Sequence, residues 1–165
     1  MISIGTKALI TRTIAFVSTL MMSLAIVGSL PKFKERRQRH FAQAAADGNL
    51  RRMQLLHFAG AHVNPHGNGC MPLYLAAGEG RLDVVRYLLD EGADVNAREK
   101  FGDTALNEAA YYGHISVIKE LLFRGADINT IGIDGTALDI AISRGNAAVA
   151  DLLKHHGGKR ALEVR

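Results

Sequence analysis

Three residues with metal-binding side chains follow one another at steps of four: His62, His66 and Cys70. Imidazole nitrogen and thiolate sulfur bind Zn²⁺, so this set is a candidate zinc site, and a cysteine near a histidine is also a candidate thiol nucleophile. A step of four places side chains on one face only in a helix, whereas this segment is Gly-rich. No fourth ligand and no orienting third group can be identified. We therefore expect no metal, no cofactor and no catalytic residue.

Two pairs of carboxylate and amide side chains, Asp94 with Asn96 and Asp127 with Asn129, also have the composition of a polar site. Each pair follows a Gly-Ala dipeptide. Asp and Asn in such positions hydrogen-bond the backbone of a turn. The pairs are therefore predicted to stabilise loops. The sequence also has no glycine-rich phosphate loop and no His-Glu-x-x-His motif, so it gives no support to a nucleotide site or a zinc protease.

These residues belong to a segment that repeats at about 33 residues. The stretch Gly69–Gly80 matches Gly102–Gly113, and the register continues through a pair of β-branched residues, a Leu-Leu pair and Gly-Ala-Asp-x-Asn. Less regular copies lie on both sides. In these outermost copies His57 and Lys154 replace a leucine of the Leu-Leu pair, as expected of a polar outer face on a terminal repeat.

One copy reads as two short helices. Thr104 is placed to cap a helix from Ala105 to about Tyr111, whose small apolar residues recur at i, i+3 and i+4. A second helix is predicted from about Ser116 to Phe123, and the glycine that follows supplies a left-handed residue to end it. Helices this short are not stable alone, so each copy must bury its faces against its neighbours. The sequence predicts an all-α repeat solenoid.

These motifs resemble the ankyrin repeat, with about four copies over residues 35–158. The resemblance implies a stack of helix-turn-helix pairs with hairpin loops on one side, and a scaffold that binds a protein partner without catalysis. The family's histidine after the opening leucine is replaced by Tyr74, Asn107 and Asp139, so the resemblance does not by itself imply the usual hydrogen bond to the Thr hydroxyl. Met71 replaces that Thr in the second copy.

Partner contacts in this family lie at hairpin tips and at exposed positions of the first helix. Carried onto this sequence, they are Asn68, Cys70, Glu79, Lys100, Phe101, Asp103, Tyr111, Tyr112, Ile133, Asp134, Ser143 and Arg144. Phe101, Tyr111 and Tyr112 are aromatic where the apolar faces are already assigned to other residues, and aromatic side chains anchor many interfaces. The alternative is that the two tyrosines cover neighbouring repeats.

The N-terminal segment is different in kind. Thr13 to Pro31 are 19 residues without a charge, which as a helix would reach about 28 Å, close to the thickness of a bilayer's hydrocarbon core. A retained membrane anchor is the preferred interpretation. A cleaved signal peptide is the rival, with a processing site near Ala25 or Ser29. A small accessory subunit packed among other membrane helices is a third.

Charge supports the membrane interpretation over nucleic-acid binding. The formal charge is +4, but residues 1–39 carry +6 and residues 40–165 carry −2. The basic residues cluster after the apolar segment, as they do on the cytoplasmic side of a membrane helix: Lys32, Lys34, Arg36, Arg37 and Arg39. We expect a single-pass membrane protein with cytoplasmic repeats, or a periplasmic or secreted one if the segment is cleaved.

The expected organisation is a hydrophobic helix over residues 1–31, a basic juxtamembrane linker over 32–39, a repeat domain over 40–157 and a tail over 158–165. We expect a monomer that binds a protein partner and no nucleic acid.

Overall fold

The computed structural model describes residues 31–65 and 71–164. Gln38–Arg165 form one compact unit, which contains the repeats. The described helices come in pairs along the chain: α1 (Pro31–Ala46) and α2 (Leu50–Phe58), α3 (Pro72–Gly78) and α4 (Leu82–Asp90), α5 (Ala105–Tyr112) and α6 (Ile115–Phe123), α7 (Ala137–Ser143) and α8 (Ala147–His155). A short 3-10 helix follows at Ala161–Glu163. The described part of the chain therefore confirms an all-helical repeat stack.

The first helix of each pair packs through alanines. Ala76, Ala77, Ala109 and Ala110 are fully buried, as are Ala44 and Ala45 of the first repeat and Ala141 of the fourth, whereas Ile142 takes the remaining position and is 44% exposed. Side chains this small let α3, α5 and α7 approach one another closely, and the second helices complete the core with Val, Ile and Leu. The apolar face predicted for the first helix is buried, and of the Leu-Leu pair in the third repeat Leu121 is buried and Leu122 half-buried.

Caps set the helix starts. Thr104 accepts a hydrogen bond from the backbone N–H of Asn107, and Thr136 accepts one from the N–H of Asp139, whose carboxylate accepts a bond from the Thr136 N–H in return. Met71 stands at the same position before α3 and caps nothing with its side chain. The predicted helix limits shift by one residue, because α5 includes Tyr112 and α6 begins at Ile115.

Replacement of the family's histidine does not leave the two Thr hydroxyls without a hydrogen bond. The Thr104 hydroxyl donates to Oδ1 of Asn107 at 2.6 Å, and the Thr136 hydroxyl lies 3.1 Å from Oδ2 of Asp139. In the third repeat the Asn107 side chain therefore takes the place of the family's histidine. The Thr136 hydroxyl has a closer acceptor in the Lys159 carbonyl, at 2.7 Å. Tyr74 takes a different partner, described below.

Asparagines join successive repeats at the loop edge of the stack. Asn64 accepts a hydrogen bond from the Asp94 N–H at 2.9 Å, Asn96 accepts one from the Asp127 N–H at 2.7 Å, and Asn129 accepts one from the Lys159 N–H at 2.8 Å. The Asp94 and Asp127 carboxylates each accept from the asparagine N–H two residues on. The predicted loop-stabilising role of these pairs is confirmed.

The opposite edge has its own ladder. The residue before each second helix reaches back to the last turn of the preceding repeat's first helix: Arg81 donates to the Ala46 carbonyl at 3.0 Å, and Nε2 of His114 lies 2.7 Å from the Gly78 carbonyl. Asn146 donates to the Ala110 carbonyl at 3.2 Å. These bonds satisfy helix carbonyls that the helix itself leaves unpaired. Both edges of the stack are thereby fixed.

The prediction of two polar outer faces is half right. Lys154 is exposed. His57 is not on an outer face, because its Nδ1 lies 2.9 Å from the Tyr87 hydroxyl and 3.7 Å from a carboxylate oxygen of Glu91 in the next repeat. Its polar ring therefore belongs to a junction between repeats.

None of the described helices has the length and apolar character needed to cross a membrane. The N-terminal segment on which the anchor and signal interpretations depend lies almost entirely in residues 1–30, outside the described residues.

Candidate functional site

Two hairpin tips project from the described repeats. The first is closed by the Glu99 N–H donating to the Asp103 carbonyl at 2.8 Å, with Gly102 at a φ of 93° that only glycine adopts readily. The second is closed by a bridge between Gly132 and Gly135. Phe101 and Ile133 occupy these tips and are 63% and 65% exposed. The tips therefore offer two large apolar side chains to solvent.

Asp103 holds the two tips together. Its Oδ1 accepts a hydrogen bond from the Ile133 N–H at 3.1 Å. The Arg98 guanidinium donates to the carbonyl of Ile131, two residues before Ile133 in the chain. Burial raises the pKa of Asp103, and the Ile133 N–H opposes that rise by stabilising the ionised form. Asp103, predicted as a partner contact, thus has a positioning contact within the protein itself.

The other predicted tip residues within the described part of the chain are exposed. Lys100 places its ammonium 5.5 Å from the centre of the Phe101 ring, and Asp134 is open to solvent. Asn68 and Cys70, predicted at the tip before α3, lie outside the described residues.

The two tyrosines at the end of α5 have different roles, and each fits one of the two interpretations that the sequence left open. Tyr111 is half-buried, and the guanidinium carbon of Arg144 lies 3.8 Å from the centre of its ring. This is a cation-π contact with the next repeat, so Tyr111 does cover its neighbour. Tyr112 packs edge-on against Tyr111 at 4.9 Å between ring centres but stays 57% exposed. Tyr112 is the member of the pair available to a partner.

The predicted residues form two patches. The tip patch consists of Lys100, Phe101, Ile133 and Asp134, and the helix-end patch consists of Glu79, Tyr112, Ser143 and Arg144, all exposed. Since α5 begins just after a tip and ends at Tyr112, its eight residues separate the patches by about 12 Å.

Between the patches, Glu108 and Tyr74 link α5 to α3. The Tyr74 hydroxyl donates to Oε2 of Glu108 at 2.7 Å. Burial raises the pKa of Glu108, and the Tyr74 hydroxyl opposes that rise. Burial and the facing carboxylate raise the pKa of Tyr74 above its ordinary value, so the phenol stays protonated and donates.

The candidate metal and thiol residues are only partly described. His62 is exposed, and its backbone is paired with the Gln38 side chain. His66 and Cys70 lie outside the described residues. Over 31–65 and 71–164, the structure has no group of three or more His, Cys, Asp or Glu side chains arranged to hold a metal ion.

Sequence reasoning missed two exposed aromatic residues on the second helices. Phe58 is 95% exposed and Phe123 is 83% exposed, each at the last position of its helix. Asp90 and His155 occupy the matching positions in the other repeats. Comparing these positions between copies would have found them, because an aromatic residue alternates there with polar ones.

Comparison with known proteins gives a match to the family model described as ankyrin repeats in three copies, over residues 41–132. A probable E3 ubiquitin-protein ligase, XBOS33 of Oryza sativa subsp. japonica, is 44% identical over 69 residues, which are 40% of this chain and 13% of that protein. The potassium channel AKT1 of Arabidopsis thaliana is 39% identical over 67 residues, 39% of this chain and 8% of the channel. The FYVE zinc finger domain protein UPA1 of Mycosarcoma maydis is 48% identical over 48 residues, 28% of this chain and 4% of that protein.

The chain spans between 4% and 13% of the length of these curated relatives. The family match covers more than half of the chain and coincides with the helix pairs and loop-edge asparagines described above. Ankyrin repeats are in general modules of protein-protein interaction without catalytic activity. On this match and this architecture, the chain belongs to the ankyrin repeat family.

Proposed function

We propose that this protein is a non-catalytic, membrane-anchored scaffold that recruits a protein partner through its tip and helix-end patches. The observation that carries the binding surface is the exposure of Phe101 and Ile133 on two tips that Asp103 holds together. Large apolar side chains on a fixed support lose little conformational freedom on binding, which favours affinity.

The similar proteins support a binding role. By their names they are a ubiquitin ligase, a potassium channel and a FYVE zinc finger protein, and each resembles this chain over a small part of its own length. A repeat segment shared by proteins so different is expected to contribute recognition, while other parts contribute the activity.

Site-specific photo-cross-linking tests the surface. The photoreactive residue p-benzoylphenylalanine is placed in full-length protein in cells, in separate variants at Phe101 and Tyr112, with Phe123 as the matched control. All three side chains are exposed aromatics, and Phe123 is on a second helix. A common partner adduct from the first two positions and none from Phe123 is expected. An adduct only from Phe123 would place the binding surface on the second helices.

The membrane part of the proposal depends on the sequence of residues 1–39. An uncharged stretch long enough to span, followed by a basic cluster, supports an anchor with cytoplasmic repeats. Intact mass of the C-terminally tagged protein, recovered from membrane and soluble fractions, tests it. An uncleaved chain that resists alkaline extraction is expected. A soluble chain shortened near Ala25 or Ser29 would replace the anchor with an exported soluble protein.

A further inference from the structure

The outward side of the fourth repeat has the positions of a repeat junction. In the third repeat, Asn107 on α5 donates to the Gly135 carbonyl of the fourth, and Ala110, one turn further, is fully buried beside that repeat. Asp139 and Ile142 occupy the matching positions on α7. The side of α7 that carries them is therefore a stacking face, on which no helix pair lies within the described part of the chain.

The chain after α8 bonds the first turn of this face and leaves the second turn open. The Arg160 guanidinium and the Ala161 N–H donate to the two carboxylate oxygens of Asp139, at 2.8 and 2.7 Å. Ile142, one turn along α7, is 44% exposed. A large aliphatic side chain is thus open to solvent at a position that the internal repeats bury.

Ile142 borders an open cavity between α7 and α8. The cavity has a volume of about 250 Å³, and Ala147 and Ala150 line it together with Asp151 and Lys154. The two charged side chains are exposed, and neither has an ion-pair partner among the described residues. An apolar centre beside charged groups of both signs is the anatomy of a protein interface. These five residues are called the end face below.

Internal junctions of the stack use the same position of the second helix for ion pairs. Arg86 on α4 occupies the position of Asp151 and lies 2.9 Å from Glu120 of the next repeat. Asp90, one turn further along α4, lies 2.7 Å from Arg124 of that repeat. Charge pairs across this side of a second helix therefore join the repeats, and Asp151 has no such partner in the described structure.

The opposite end of the stack does not fit the end face. On α6, Val117 is buried, and Glu120, three residues on, pairs with the preceding repeat. Arg52 and Leu55 occupy those two positions on α2. A head-to-tail contact between two copies would bury the Arg52 guanidinium and would place Leu55, which carries no charge, opposite Asp151. Burial of an unpaired cation is costly, so this arrangement is disfavoured.

We propose that the end face binds the same face of a second copy of this chain, about a two-fold axis. The face is complementary to itself, because a two-fold contact brings Asp151 of each copy to Lys154 of the other, with Ile142 near the axis. The outer side of one helix pair is small for a dimer interface, so the dimer is weak, with a dissociation constant in the micromolar range.

This dimer replaces the monomer expected from the sequence, which does not show that Ile142 is exposed. It does not depend on the proposed function, since the end face contains no residue of the tip patch or the helix-end patch. A dimer would present each of those patches twice, which strengthens binding to a partner that itself has two sites.

Cysteine cross-linking of the full-length protein in detergent micelles tests the contact. The chain has one cysteine, so Cys70→Ser provides the background. Ile142→Cys in this background is expected to give a dimer with a short bismaleimide, because a residue near a two-fold axis meets its own copy. Ile115→Cys on α6 is the control, since Ile115 is 37% exposed, and it is expected to stay monomeric. No dimer from Ile142→Cys, or equal amounts from both variants, would overturn the proposal.

Charge exchange in the Ile142→Cys background tests the pairing. Asp151→Lys leaves only cations beside the apolar centre, and Lys154→Glu leaves only carboxylates. Each variant alone is expected to give about tenfold less dimer, because like charges then meet. An equimolar mixture of the two is expected to recover the parental yield to within about twofold, because each cation again meets a carboxylate. Single variants that dimerise like the parent, or a mixture that does not recover, would overturn the proposal.

Discussion

Replacing Asn107 by Ala tests how neighbouring repeats are joined inside the stack. Asn107 is 2% exposed, and its side chain makes one bond within its repeat and one to the next. Its Oδ1 accepts from the Thr104 hydroxyl at 2.6 Å, and its Nδ2 donates to the Gly135 carbonyl at 3.2 Å. Alanine removes both bonds and keeps the helix.

The expected cost follows from what each partner retains. Losing a side-chain hydrogen bond costs about 1 kcal/mol where the partner keeps another bond, and about 1–3 kcal/mol where the partner is left buried and unpaired. The Gly135 carbonyl keeps the Gly132 N–H at 2.9 Å, so only the buried Thr104 hydroxyl loses its acceptor. We expect Asn107→Ala to lower the free energy of unfolding by about 2–4 kcal/mol.

Urea unfolding followed by circular dichroism measures this loss, since the chain has no Trp to report by fluorescence. The midpoint is expected to fall by about 1–2 M urea. Lys119→Ala, at an exposed position of α6, is the control and is expected to change stability by less than about 0.5 kcal/mol. An Asn107→Ala protein as stable as this control would refute the reasoning, because the buried hydrogen bonds would then contribute nothing.

Three further predictions concern the same stack. Met71→Thr is expected to raise the free energy of unfolding by about 1 kcal/mol in urea, because the threonine hydroxyl supplies the side-chain cap that α3 lacks. An unchanged free energy of unfolding would mean that the cap does not form. Glu108→Gln keeps an acceptor for the Tyr74 hydroxyl. Burial raises the folded-state pKa of Glu108, so the stability that this carboxyl contributes is present below its ordinary pKa near 4.5 and is lost as the pH rises through the folded-state pKa. The variant should therefore match the wild type near pH 4 and exceed it at pH 7 in urea midpoint, and a deficit at pH 7 would contradict this. Asn96→Ala should cost about 1–2 kcal/mol in the same assay by removing its bond to the Asp127 N–H, and an unchanged midpoint would show that the loop ladder is not stabilising.

The repeat register, the helix pairs and the Thr104 cap were predictable because each depends on residues close in the chain. Periodicity identifies the buried face of a helix, and a threonine before it identifies the start. The bonds from Tyr74 to Glu108 and from Asp103 to Ile133 were not predictable in this way. They join residues 34 and 30 positions apart, and they depend on where side chains of stacked repeats point.

The candidate surface was predicted as one set of residues and is found as two patches. The sequence shows which positions do not belong to the buried core, but it does not show the distance that α5 sets between them. The roles of the two tyrosines were undecidable for the same reason, since Arg144 lies over Tyr111 from another repeat. Phe123 shows the converse, because sequence reasoning did not assign it to the surface although its side chain is 83% exposed.

The most direct test of the central claim is the dissociation constant of the cross-linked partner for two matched variants. Phe101→Ala/Tyr112→Ala changes the proposed surface, and Phe58→Ala/Phe123→Ala removes exposed aromatics of the second helices. We predict that the first variant weakens binding about tenfold or more with its urea midpoint unchanged, and that the second binds like the wild type. Wild-type affinity in the first variant, or loss confined to the second, would contradict the account.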